Sequence, residues 1–132
     1  MLASAGPRQK EARAPQLRVE LDDVLSRVAR LDDEARFRVS LYLADYARQT
    51  RETFGAFETI PADTKAAIAQ QLAGLAREAF ERDEEQSYAY FILSALYESV
   101  GLPGEDAEAV KTACAEYVLA AVQAERSLGR EA

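Results

Sequence analysis

Residues 88–97 read YAYFILSALY, ten positions without a charge and with Ser94 as the one aliphatic hydroxyl. A helix on a protein surface shows an apolar stripe and a polar face, and this run shows neither. A helix that is apolar all round is either surrounded by other helices or exposed at an interface between subunits. The rest of the chain is read outward from this segment.

Toward the C-terminus, Gly101 closes the helix and Pro103 prevents its continuation. Glu105, Asp106 and Glu108 then open a fifth helix, where acidic groups complement the positive end of the helix dipole. Its apolar stripe is Val110, Cys114, Tyr117, Val118, Ala121 and Leu128, and Gly129 is expected to end it. Toward the N-terminus, Asp83 with Gln86 three residues later has the form of a capping box. A continuous helix would stack Glu78, Glu81 and Glu85 on one face, so a tight turn is expected here. One long helix over 61–100 is the alternative.

The third helix starts at Pro61, where a missing N–H does no harm, and runs to about Arg82 with Ile68, Leu72, Leu75, Ala76, Ala79 and Phe80 facing inward. Residues 54–60, FGAFETI, form a connection whose Phe54, Phe57 and Ile60 are expected to plug one end of the core. The second helix spans Glu34 to Thr53; its wide apolar face, with the sets Ala35/Val39/Tyr42/Tyr46 and Phe37/Leu41/Ala44, places it near the bundle centre. The first covers Leu17 to Leu31, with one stripe of Leu17, Leu21, Val24, Leu25, Val28 and Leu31, followed by a stop and fresh N-cap at Asp32–Asp33. The expected fold is therefore all-α: an antiparallel bundle of four to five helices over 17–132, one domain, with a short N-terminal tail over 1–16.

Composition narrows the chemistry. Among 132 residues there is no histidine, which removes the commonest metal ligand and every Ser-His or Cys-His pair. One cysteine allows neither an internal disulfide nor a multi-cysteine metal site. No apolar stretch reaches the roughly 18 residues that suggest a membrane span. Paired carboxylates at Asp22–Asp23, Asp32–Asp33 and Asp83–Glu84–Glu85 are explained as caps and solvated faces. No catalytic residue, cofactor or metal site is assigned. Cys114 sits on an apolar stripe as a small packed hydrophobe, and Tyr42–Tyr46 at i,i+4 reads as a core pair.

The formal charge is −7, unevenly spread: residues 1–51 carry ten basic and eight acidic residues, whereas 52–132 carry six and fifteen. The second half repels phosphates and favours a basic partner. Arg27, Arg30, Arg36 and Arg38 do not make a DNA-reading pair of helices, because Asp32, Asp33 and Glu34 stand where phosphates would approach. The spacing Tyr90-x2-Leu93-Ser94-x2-Tyr97-x3-Gly101 resembles the first half of a tetratricopeptide repeat. It departs from that pattern where the expected small residue falls one position late, at Ala107, and no second copy follows, although such arrays need about three. The family is not assigned.

The functional expectation is a non-enzymatic, acidic, cytoplasmic protein–protein interaction module, an adaptor, inhibitor or small chaperone. It is expected to form a homodimer or meet a basic protein, and to contact neither nucleic acid nor membrane. The expected interface is Phe54, Phe57, Ile60, Tyr88, Tyr90, Phe91 and Tyr97. The alternatives are a small-ligand-binding bundle or minor enzyme, which needs tyrosine hydroxyls converging in a cavity, and an acidic antagonist of a basic or DNA-binding protein.

Overall fold

The computed structural model describes residues 7–131, with side chains described for 11–127. Five helices follow in order: α1 (Pro7–Ala29), α2 (Asp33–Phe54), α3 (Ala62–Ala79), α4 (Glu84–Val100) and α5 (Glu105–Glu131), with a single 3-10 turn at Phe57–Thr59. No strand occurs among the described residues.

The apolar segment settles in the middle. α4 packs against α1, α2, α3 and α5, so the helix without a polar face is the one surrounded by its neighbours. α2, expected near the centre, packs on α4 and α5 instead, and its Phe37 lies on the surface. Ile92, Leu93, Ala95, Leu96 and Tyr97 on α4 meet Leu17 and Leu21 of α1, Val39 and Leu43 of α2, Ile68 and Leu72 of α3, and Val110 and Cys114 of α5 in one core. Two of the buried α4 serines need no outside partner: Ser87 Oγ donates to the Ala76 carbonyl at 2.6 Å, and Ser99 Oγ to the Leu96 carbonyl at 2.8 Å.

The helix ends follow cap chemistry. Asp32 accepts from the Ala35 N–H at 2.8 Å and starts α2, which ends at Gly55 with φ 92°. Asp83 accepts from the Gln86 N–H at 3.1 Å and starts α4, so residues 61–100 form two helices and not one. The capping box is half formed: Gln86 Nε2 donates to the Tyr46 hydroxyl instead of turning back to Asp83.

Four expectations need correction. α1 begins at Pro7 and carries Pro15 inside it, so much of the expected tail is helix. Ala14 and Leu17 are buried below it, and Arg13 is tied to Glu98, which holds this turn against the proline's loss of a backbone hydrogen bond. Residues 1–6 of that tail lie outside the described residues. α5 continues past Gly129, because a glycine only weakens a helix that has no need to turn there. Phe80 points outward at 50% exposure, because α3 ends at Ala79 and the chain leaves the core. Phe54 is likewise exposed, and Ile60, with Phe57 half-buried beside it, closes that end of the core. Leu128 lies outside the residues whose side chains are described.

Candidate functional site

α1 and α3 both lie on α4 and leave a groove between them. Arg13 of α1 meets the C-terminal half of α4 at Glu98, and pocket-lining Arg27 of α1 lies beside Tyr88 at the α4 N-terminal half. α1 therefore runs antiparallel to α4. α3 does the same through its tight turn, so the two groove walls are parallel.

One stretch of the groove encloses 630 Å³ between Glu20, Asp23, Val24 and Arg27 of α1 and Ala73, Ala76, Arg77 and Phe80 of the α3 side, floored by Tyr88, Phe91 and Ser94. The next stretch, 830 Å³, is lined by Ala62, Lys65, Ala66, Ala69 and Gln70 of α3 and by Tyr97, Glu98 and Val100–Leu102. Both share Arg13, Ala73 and Arg77, which makes them one groove. It follows α3 from Ala62 to Phe80, a length of about 27 Å at the helical rise per residue.

Its walls differ in kind. The α1 wall is charged and internally paired. Arg13 donates two hydrogen bonds to Glu98, at 2.6 and 2.9 Å, and lies 3.1 Å from Glu20; Arg27 lies 3.0 Å from Asp23. The Glu98 hydrogen bonds, aided by that carboxylate's charge, push the Arg13 guanidinium above its usual range. The α3 wall is a seam of small residues: Ala62, Ala66, Ala69, Ala73, Ala76 and then Phe80, spaced four and three alternately, the repeat of a helix-packing face. Its two cations, Lys65 and Arg77, have no carboxylate within ion-pair distance among the described residues.

The opposite flank of α4 is closed. Tyr42, Tyr46 and Tyr90 form a stacked column, with ring centroids 6.0 and 4.4 Å apart and planes inclined by 8°. The Tyr42 hydroxyl donates to Asp83 at 2.7 Å. Burial first, and the Tyr90 contact second, push the Tyr46 hydroxyl well above its ordinary value. A small recess of 210 Å³ remains beside Phe54, Ile68 and Leu75.

The seven residues expected at an interface do not share a face. Ile60, Tyr88 and Tyr97 are 4%, 4% and 6% exposed, so they serve the chain's own core and offer a partner little area. Phe91 and Tyr88 floor one stretch of the groove and Tyr97 the other; Tyr90 and Phe54 flank the recess on the other side. Phe57 is half-buried, edge-on to Tyr97 at 5.0 Å and beneath Lys65. The hydroxyls of Tyr88, Tyr90 and Tyr97 do not converge in one cavity, and Tyr88 donates to Glu84 of its own helix. The Cys114 thiol, pushed up to about 12 by burial, lies in the core. Among the described residues no three His, Cys, Asp or Glu side chains gather as a metal site, and no helix is long and apolar enough to cross a membrane.

Sequence reasoning missed the alanine seam and Lys65. The seam was visible as a four-three spacing, but alanine carries too little hydrophobic signal to distinguish an outer seam from filler. Lys65 gave no signal, because a lone lysine in a helix reads as a solvated side chain. No family model, curated protein or solved structure matches this chain.

Proposed function

We propose that the chain is a non-enzymatic protein-interaction module that takes an amphipathic helix of a partner into the groove between α1 and α3. The observation that carries this reading is the seam Ala62–Ala66–Ala69–Ala73–Ala76–Phe80 lying along an open groove about 27 Å long. Ala69 and Ala76 are themselves buried, while exposed Ala62 and Ala66 and half-buried Ala73 present small side chains that let a second helix backbone approach closely, with larger apolar residues on the incoming helix filling the space above them. Partly buried Phe91 supplies the accessible apolar floor, and Phe80 at one end is the exposed aromatic that such a helix would cover.

The reading changes where the partner is sought. The chain as a whole is acidic, but the groove offers cations without partners, so an occupant with some negative charge suits it better than a basic one. The homodimer was expected from an apolar 88–97 segment, and the chain's own helices cover that segment.

The test is a displayed library of 21-residue peptides with apolar residues at heptad a and d positions, selected against the purified chain. Enriched peptides should bind the native chain and lose binding to Ala73→Arg, whose thermal midpoint should match the parent because Ala73 is only half-buried. Absence of any enriched peptide, or binders indifferent to Ala73→Arg, would overturn the proposal. A chain that proves dimeric in light scattering, and monomeric as Ala73→Arg, would identify the occupant as a second copy.

A further inference from the structure

Among the described residues Lys65 is the most buried of the charged residues, at 8% exposure, and it makes no ion pair or side-chain hydrogen bond. Its Nζ lies 4.4 Å above the centre of the Phe57 ring, whose edge-to-face contact with Tyr97 fixes it in place. An ammonium carries three N–H donors. The face of an aromatic ring balances part of its charge but accepts no conventional hydrogen bond. The stem is buried but the ammonium tip still reaches the water of the groove, since no buried side-chain nitrogen or oxygen among the described residues lacks a partner. A helix docked over it would displace that water and leave the donors unused unless it supplied an acceptor.

The surroundings indicate what a docked helix has to supply. Lys65 lines the Ala62–Leu102 stretch of the groove. It lies in the first turn of α3, the positive end of that helix dipole. Two carboxylates line the same stretch, and neither lies within ion-pair distance of Lys65. Glu98 takes both hydrogen bonds of Arg13, and Asp63 Oδ1 accepts from the Thr64 N–H at 2.8 Å. Twelve residues along the same helix, about 18 Å away, Arg77 is the second cation of the wall.

We propose that Lys65 is the receptor for a carboxylate carried by the docking helix, and that this pairing sets which helices the groove accepts. The inference rests on the helix-docking reading above. An Asp or Glu of the partner, placed over the Lys65 end of the seam, supplies an acceptor in place of the water that the docked helix displaces. A helix with an amide or a cation at that place leaves the ammonium unpaired or repelled, so the site discriminates by penalty as well as by attraction. A second acid about three turns away meets Arg77 in more exposed surroundings, where pairing is weaker.

The probes are the heptad peptides enriched on the parent chain, each remade with its Asp and Glu residues changed singly to Asn or Gln. One acidic position, at one end of each peptide, should lower affinity about tenfold when neutralised, the range of one well-formed charged hydrogen-bond pair. Against Lys65→Met, which keeps the stem's volume over Phe57, that same change should have no effect; Lys65→Arg should restore part of it. Thermal unfolding of both variants establishes that they fold. Enriched peptides without a sensitive acid, or an equal loss on parent and Lys65→Met, would overturn the role of Lys65 while leaving helix docking intact. Failure to enrich any peptide would overturn both.

Discussion

The two flanks of α4 solve the same problem differently. On the side of α2, the polar atoms that enter the core are used internally: Tyr42 reaches Asp83, Gln86 reaches the Tyr46 hydroxyl, and three rings stack into a wall. On the side of α1 and α3, alanines line an open groove, and Lys65 and Arg77 face it without an ion pair among the described residues. A flank whose hydrogen bonds are complete contributes to folding. α1 and α3 pack into the core through Leu17, Leu21, Ile68 and Leu72, but the groove surface between them keeps apolar area and charges uncovered, adds little to stability and is available for binding.

This contrast can be broken at several points. The largest effect is expected at the centre: Ile92→Ala, at a fully buried α4 position, should lower unfolding free energy by about 2–5 kcal/mol in urea titrations. Next comes the closed flank. Asp83→Ala removes both the α4 N-cap and the acceptor of Tyr42, and should cost about 1–3 kcal/mol, with Tyr42→Phe accounting for a smaller part. Breaking the groove's own pair by Glu98→Gln should cost about 1 kcal/mol, since Arg13 and Glu98 are only part-buried. The smallest change is expected from Phe80→Ser, within about 0.5 kcal/mol of the parent, because the ring is half in solvent. If Phe80→Ser proved as destabilising as Ile92→Ala, the open flank would be part of the core and the contrast would fail.

Alkaline pH sharpens the same comparison through the core. Burial raises the Cys114 thiol from 9.0 to about 12, so the folded state prefers the protonated form. The folded chain then holds a proton that the unfolded chain releases, and stability declines as pH rises above the unfolded value. The contribution is intact below pH 9.0 and is lost toward pH 12, at about 1.4 kcal/mol per pH unit at most. Urea titrations at pH 8 and 10 should show this decline in the parent and a smaller one in Cys114→Ala.

How much of this was legible depends on how strongly each residue signals. The break at Asp32–Asp33, the turn before α4 and the centrality of 88–97 could be read because caps and an unbroken apolar run are local signals with one physical outcome. α1 was under-read because a proline argues against helix, while the contacts that overrule it, buried Ala14 and the pair of Arg13 with Glu98, join residues 85 positions apart. Phe80 was assigned inward by its size and turned out by where α3 stops. The groove was illegible as a site because it is defined by an absence between two helices that pack on a third. Its markers, alanines and one lysine, are among the least specific residues in a helical sequence.

The most direct test of helix docking is residue-resolved amide chemical-shift mapping of the native chain as an enriched heptad peptide is added. The account predicts perturbations along Ala62–Phe80 of α3, at Arg13–Arg27 of α1 and around Lys65, with the Tyr42–Tyr46–Tyr90 flank unmoved. Shifts centred on Phe54 and Tyr90, or spread evenly over the bundle, would contradict it.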